Sequence, residues 1–135
     1  MNPTLVALTG FVSWSLLLLV LMEAMRSWLV ASGKVPANGF DPGNSSLSPF
    51  MQRLARAHAN CVEGLPLFGG LMLIAVAANR SAVTDSFAYV LLGARILQSV
   101  IHLSSLSALA VTLRFLAFAA QIAIAACWAT RLMLA

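Results

Sequence analysis

The chain has 135 residues, room for one small domain. Hydrophobic residues make up 61% and charged residues 9%, where a soluble domain carries roughly 25% charged, and the mean hydropathy is +0.92. Eight basic and four acidic side chains cannot coat a soluble particle, which excludes a soluble enzyme, a disordered tail and a disulfide-stapled secreted module and leaves a membrane protein. A bilayer-spanning helix takes about 20 residues, so four helices and three connections use the whole chain. The expected fold is all-α: a single domain, 1–135, folded as an up-down bundle of four transmembrane helices.

The first span, about residues 3–32, opens at Pro3, a favoured first-turn residue. Its apolar run goes from Leu5 to Met22, too long for a signal peptide and without a basic leader, so it is expected to be a retained span. Glu23 and Arg26 lie three apart and can pair on one helix face, a structural role. Gly33 ends the helix. Residues 34–48, with Pro36, Gly39, Pro42 and Gly43, form the one real loop by composition. Within it Asn44-Ser45-Ser46 fits a three-residue glycosylation sequon. The second span, about 49–79, begins at Ser48-Pro49; it is polar from Arg53 to Glu63 and apolar from Leu65 to Ala78. Asn79-Arg80-Ser81 is a tight connection. The third span, about 82–105, holds Arg95, Gln98 and His102. The fourth, about 108–133, carries Arg114 near its start and Arg131 near its end.

The net charge is +4 and the isoelectric point about 10.1. There is no basic run, and several arginines lie inside apolar stretches, so nucleic acid is not an expected partner. Cys61 and Cys127 both fall in apolar segments and read as packing residues, not as a disulfide framework. Trp14, Trp28 and Trp128 read as packing and interface anchors. The side with the first and third connections holds Arg26, Lys34, Arg53, Arg56 and Arg114, against Arg80 and Arg131 on the other. That bias places loop 34–48 in the cytoplasm and both termini opposite.

A charged residue inside a span is expensive and points to function. At about 100° per residue, Arg53, Arg56, Asn60 and Glu63 share one face roughly 80° wide, while His58 falls on the other side of the helix. Arg95, Gln98, Ser99 and His102 likewise cluster on one face of the third span, and Arg114 and Gln121 on one face of the fourth. All three polar segments occupy the same leaflet. They predict a tapering cleft, rich in arginine and closed by the apolar helix halves. Glu63 would lie roughly 15 Å beyond Arg53. Arginine grips carboxylates bidentately, Glu63 can take an ammonium group, and Asn60 both donates and accepts. A small zwitterionic peptide with two carboxylates satisfies such a set. Gln98, Ser99, Gln121 and His102 can equally serve as interhelical hydrogen-bond glue. No metal set appears, because His58 and His102 lack partners at ligand spacing.

The run Arg53-Leu-Ala-Arg56-Ala-His-Ala-Asn60-Cys-Val-Glu63-Gly-Leu-Pro66-Leu-Phe68 resembles the signature of the MAPEG family, membrane-associated proteins in eicosanoid and glutathione metabolism. It is similar to the form found in microsomal glutathione transferases and leukotriene C4 synthase, here as a bacterial-type member. Arg95 in the third span and an arginine opening the fourth fit the same pattern. The resemblance implies a homotrimer with glutathione, as co-substrate, bound between subunits in the cytoplasmic leaflet. It gives Arg53, Arg56, Asn60, Glu63, Arg95 and Gln98 to glutathione binding. Arg114 would hold the sulfur as thiolate, and His102 stands where the family carries a hydrogen-bonding tyrosine. The acceptor would be a hydrophobic electrophile or lipid peroxide drawn from the membrane lipid. The chain departs from the pattern at Gln98, His102 and Gly64, and these departures leave a non-catalytic, lipid-binding member as the alternative.

Overall fold

In this computed structural model residues 1–134 are described, and they form four long helices. They are α1 (Pro3–Ala31), α2 (Pro49–Ala77), α3 (Ala82–Ser104) and α4 (Ala108–Leu134), each long and apolar enough to cross a membrane. Local chemistry sets their ends. Asn2 Oδ1 accepts the Leu5 N–H at 2.9 Å, and Ser48 Oγ accepts the Met51 N–H at 3.3 Å, so both starts combine a side-chain cap with a proline in the first turn. Ser107 Oγ accepts the Ala110 N–H at 3.2 Å at the start of α4. At the end of α1, Gly33 takes φ +75° and donates to Val30 O while Lys34 donates to Leu29 O, both at 3.0 Å. This pair of bonds reclaims carbonyls that a helix end leaves orphaned. Asn79, at φ +57°, repeats the arrangement after α2.

Helix α2 is not uniform. Between an α-helical half, Pro49–Gly64, and another, Gly70–Ala77, lies a π-helical turn, Leu65–Gly69. Pro66 has no N–H to return to the preceding turn, and the wider winding absorbs that break. The turn begins two residues after Glu63 and re-aims every residue beyond it.

The bundle is held by two apolar clusters. One joins Phe11 of α1, Phe68 and Met72 of α2, Leu91 of α3 and Trp128 of α4. The other joins Leu18 and Met22 to Met51, Leu54 and Cys61. Helix α4 packs chiefly on α3, and no Cα of α1 comes within 8 Å of one in α4 among the described residues. Its only buried residues are Ala110, Gln121 and Trp128, a single narrow line along the helix.

Polar ties close both ends. At the loop end Arg26 pairs with Glu23 at 3.0 Å and donates twice to Asn44 Oδ1, at 3.0 and 2.6 Å. Asn44 is fully buried, sits at φ +55° and donates to Met51 O at 2.8 Å. The sequon asparagine is therefore an internal brace of the loop. Asp41 accepts the Ser45 N–H at 2.9 Å, which holds its carboxyl below the usual carboxylate range. At the opposite end Thr4 donates its N–H and hydroxyl to Asp85, and Arg80 donates to the carbonyls of Leu132 and Arg131 at 2.7 and 2.9 Å. Arg80, which the charge count treats as a topology signal, thus also caps the last turn of α4.

Candidate functional site

The polar residues of the middle of the bundle meet around a cavity of about 390 Å³. Helix α2 supplies Asn60, Glu63 and Gly64 to its wall, α3 supplies Arg95 and Gln98, and Leu67, Phe68 and Phe118 complete the apolar side. The convergence follows from the helix faces: α2 and α3 each turn their polar stripe toward the other.

Arg95 is the most unusual member. It is 1% exposed, and its guanidinium stacks on the rings of Phe11 and Phe68 at 5.3 and 5.5 Å. Its Nη1 donates to Asn60 O at 3.3 Å, while Nε and Nη2 have no protein partner. The only ion pair among the described residues is Glu23–Arg26, so no carboxylate neutralises Arg95. Gly64 makes room for it, because a Cβ there would fall 2.7 Å from Arg95 Nη2.

Nearer the loop end the cations gather around His102. This ring is 2% exposed; its Nδ1 lies 3.4 Å from Asn60 Nδ2, and its Nε2 has no partner. Its charged neighbours are Arg114, Arg56 and Arg53. Arg53 donates its Nε to Leu103 O at 3.0 Å and so caps the end of α3. Arg56 is exposed, and it is not part of the cavity wall. Arg114 is half-buried, with its Nε buried and unpartnered. Asn60 links the two groups of cations, by its carbonyl to Arg95 and by its amide to His102. Glu63 is exposed on the cavity wall and engages no protein cation within 4.0 Å.

Gln98 has both of the roles its position allows. Its Oε1 accepts the buried Gln121 amide at 2.9 Å, tying α3 to α4, and the residue still faces the cavity. Ser99 is interhelical packing: its hydroxyl bonds Arg95 O at 3.1 Å and touches Cys61 Sγ at 3.4 Å. His58 lines a second cavity of about 580 Å³ beside Arg26, Phe40 and Asp41, and Glu63 is on the wall of both cavities. Among the described residues no three His, Cys, Asp or Glu side chains are grouped to hold a metal ion.

The sequence profile of the MAPEG family matches residues 5–134. The chain belongs to the MAPEG family. It is accordingly an integral, multi-pass membrane protein, built as an all-helical bundle. No curated protein and no solved structure matches it. In this MAPEG chain the Arg-x-x-x-Asn-x-x-Glu run of α2 divides its work. Asn60 and Glu63 reach the cavity, while Arg56 is not on its wall and instead lies, like Arg114, near His102. Sequence reasoning missed the two phenylalanines that clamp Arg95. Phe11 lies on a span with no polar stripe to mark it, and Phe68 lies within the π-turn, where a constant 100° step loses phase. The signal that could have found Phe68 was Pro66, two residues before it.

Proposed function

We propose that this MAPEG protein is a glutathione-dependent transferase or peroxidase acting on hydrophobic electrophiles. The observation that carries the reading is charge: Arg95 is buried on the cavity in the middle of the bundle, Arg114 is half-buried nearer the loop end with Arg56 also close to His102, and no carboxylate pairs with any of them. A cation held away from water without a counter-ion is costly, and a bound anion relieves that cost. Glutathione brings two carboxylates, an ammonium group, two amides and a thiol. The residues fit that inventory. Arg56 and Arg53 suit its carboxylates, Glu63 its ammonium, and Asn60 its amide groups.

The chemistry required of the protein is modest. A nearby cation lowers a thiol pKa, and the thiolate is the nucleophile. In this reading Arg114, a charged neighbour of His102, holds the sulfur in that form. The thiolate forms a C–S bond with the electrophile as its leaving group departs. An apolar groove of about 570 Å³ between α2 and α4 shares Leu67, Phe68 and Phe118 with the polar cavity, and so offers an electrophile a path from the bilayer. The narrow buried line of α4 and the exposure of Arg56 support a neighbouring subunit covering the site, as in a homotrimer. The excess of arginine and lysine at this end supports a cytoplasmic position.

The test is calorimetric titration of glutathione into the purified protein beside a Glu63→Gln variant. Glu63 bears no bond within the chain, so the variant is expected to fold as the parent does and to lose binding at least about tenfold, the loss of one charged hydrogen bond. Equal affinity in the two proteins would remove Glu63 from the site. Absence of binding in a folded parent would favour a non-catalytic, lipid-binding member.

A further inference from the structure

Lys34 and Trp28 mark a feature remote from the polar cavity. Trp28 lies in the last turn of α1 and is 59% exposed, at the end of a span, where tryptophan anchors helices in the membrane interface. The Lys34 ammonium rests over its ring, 4.5 Å from the centroid. The only ion pair among the described residues is Glu23–Arg26, so Lys34 has no carboxylate within 4.0 Å. Trp28 is also a wall of a groove of about 370 Å³ between the end of α1 and the start of α2. Met25 and Leu29 continue that wall, and Leu47 and Met51 complete the lining from the other side. The lining is apolar except at Ser48, which caps α2, and the positive end of the α2 dipole adds to the Lys34 charge. The groove shares no residue with the polar cavity or with the groove between α2 and α4.

We propose that this crevice between α1 and α2 is a site for an anionic bilayer phospholipid, with its phosphate on Lys34 and the upper part of one acyl chain against Trp28, Met25 and Met51. The occupant must carry negative charge at the level of Lys34 and hydrocarbon directly beneath it. From Trp28 to Ala24 the wall runs four residues along α1, about 6 Å, which suits the first few methylenes of an acyl chain. A soluble anion would meet the charge and leave the groove bare. A zwitterionic phospholipid would bring a cation of its own towards Lys34. A phospholipid of net negative charge satisfies both ends, and anionic lipids are the ones that attract a lysine at the membrane surface. The site does not depend on the transferase reading.

The probes are phosphatidylglycerol and phosphatidylcholine with brominated acyl chains, each mixed into nanodiscs of unbrominated phosphatidylcholine around the full-length protein. Bromine quenches tryptophan fluorescence on contact, and Trp28→Phe gives the background from Trp14 and Trp128. In the parent, phosphatidylglycerol is expected to quench Trp28 at about fivefold lower mole fraction than phosphatidylcholine, the effect of one lysine on an anionic headgroup. Lys34→Gln is expected to bring the two lipids level, and Lys34→Arg to keep the preference. Ala24→Phe, at an exposed position on the groove wall, is expected to weaken both lipids together. Glycerol phosphate, a headgroup without chains, is expected to displace neither. Equal quenching by the two lipids in the parent overturns the proposal, as does a preference that survives Lys34→Gln or quenching unchanged by Ala24→Phe. Displacement by glycerol phosphate would make this a site for a soluble anion, and a Trp28 that no lipid quenches would mean that a second copy of the chain covers the groove; either result overturns the proposal too.

Discussion

Adding one methyl group at Gly64 tests how tightly Arg95 is held. The Cβ of Gly64→Ala would lie 2.7 Å from Arg95 Nη2 and 3.2 Å from both Cδ2 and Cε2 of Phe68. An exposed arginine would swing aside at little cost. This one is buried and stacked on two phenylalanine rings, so swinging aside breaks both stacks. Overpacking of this kind costs about 1–3 kcal/mol, whereas replacing a mid-helix glycine with alanine returns about 1 kcal/mol. The net expectation for Gly64→Ala is a loss of about 0–2 kcal/mol. In an Arg95→Leu background the guanidinium is gone, and the same change should stabilise by about 1 kcal/mol. The coupling between the two positions is then about 1–3 kcal/mol, well above the ~0.5 kcal/mol within which independent sites add. Unfolding in mixed micelles with increasing denaturing detergent, run on the parent, both single variants and the double variant, reads that coupling. Additive effects would show that Arg95 is free to move and that Gly64 is not its cradle.

Two further outcomes are expected. Arg114→Ala should leave glutathione affinity within about threefold and raise the pKa of the bound thiol, seen as loss of thiolate absorbance at neutral pH; an unaltered absorbance would detach Arg114 from the sulfur. Asn44→Ala removes the acceptor for Arg26 and the donor to Met51 O and places alanine at a positive φ. It should cost about 2–4 kcal/mol and speed amide exchange throughout residues 34–48, and protection like that of the parent would mean the loop is held by something else.

Much of the architecture was legible because its signals are local. Pro3, Ser48-Pro49 and Gly33 mark helix ends by their own chemistry, and apolar runs of span length need no tertiary context. The meeting of Asn60 and Glu63 with Arg95 and Gln98 was legible from two helical stripes placed in one leaflet. What escaped the sequence depends on partners distant in the chain. Arg53 lies on the polar face, yet the nearest unpaired carbonyl, on Leu103, captures it. Arg80 counts as a topology charge until the end of α4 arrives beside it. Asn44 reads as a surface triplet until Arg26 closes over it. The clamp on Arg95 needed the change of phase at Leu65–Gly69, which no fixed periodicity contains.

The thin seam of α4 bears on how the chain is made. Helices α1 to α3 share a nearly complete interior before α4 has left the ribosome, and α4 then attaches through one line of three residues and the Gln98–Gln121 bond. Its far end is fastened by Arg80, which waits in the connection between α2 and α3 for the carbonyls of Leu132 and Arg131 in the last turn of α4. The last of the four helices is therefore seated only after its full length has been made, so the polar cavity, which needs Phe118, gains that wall after its walls from α2 and α3.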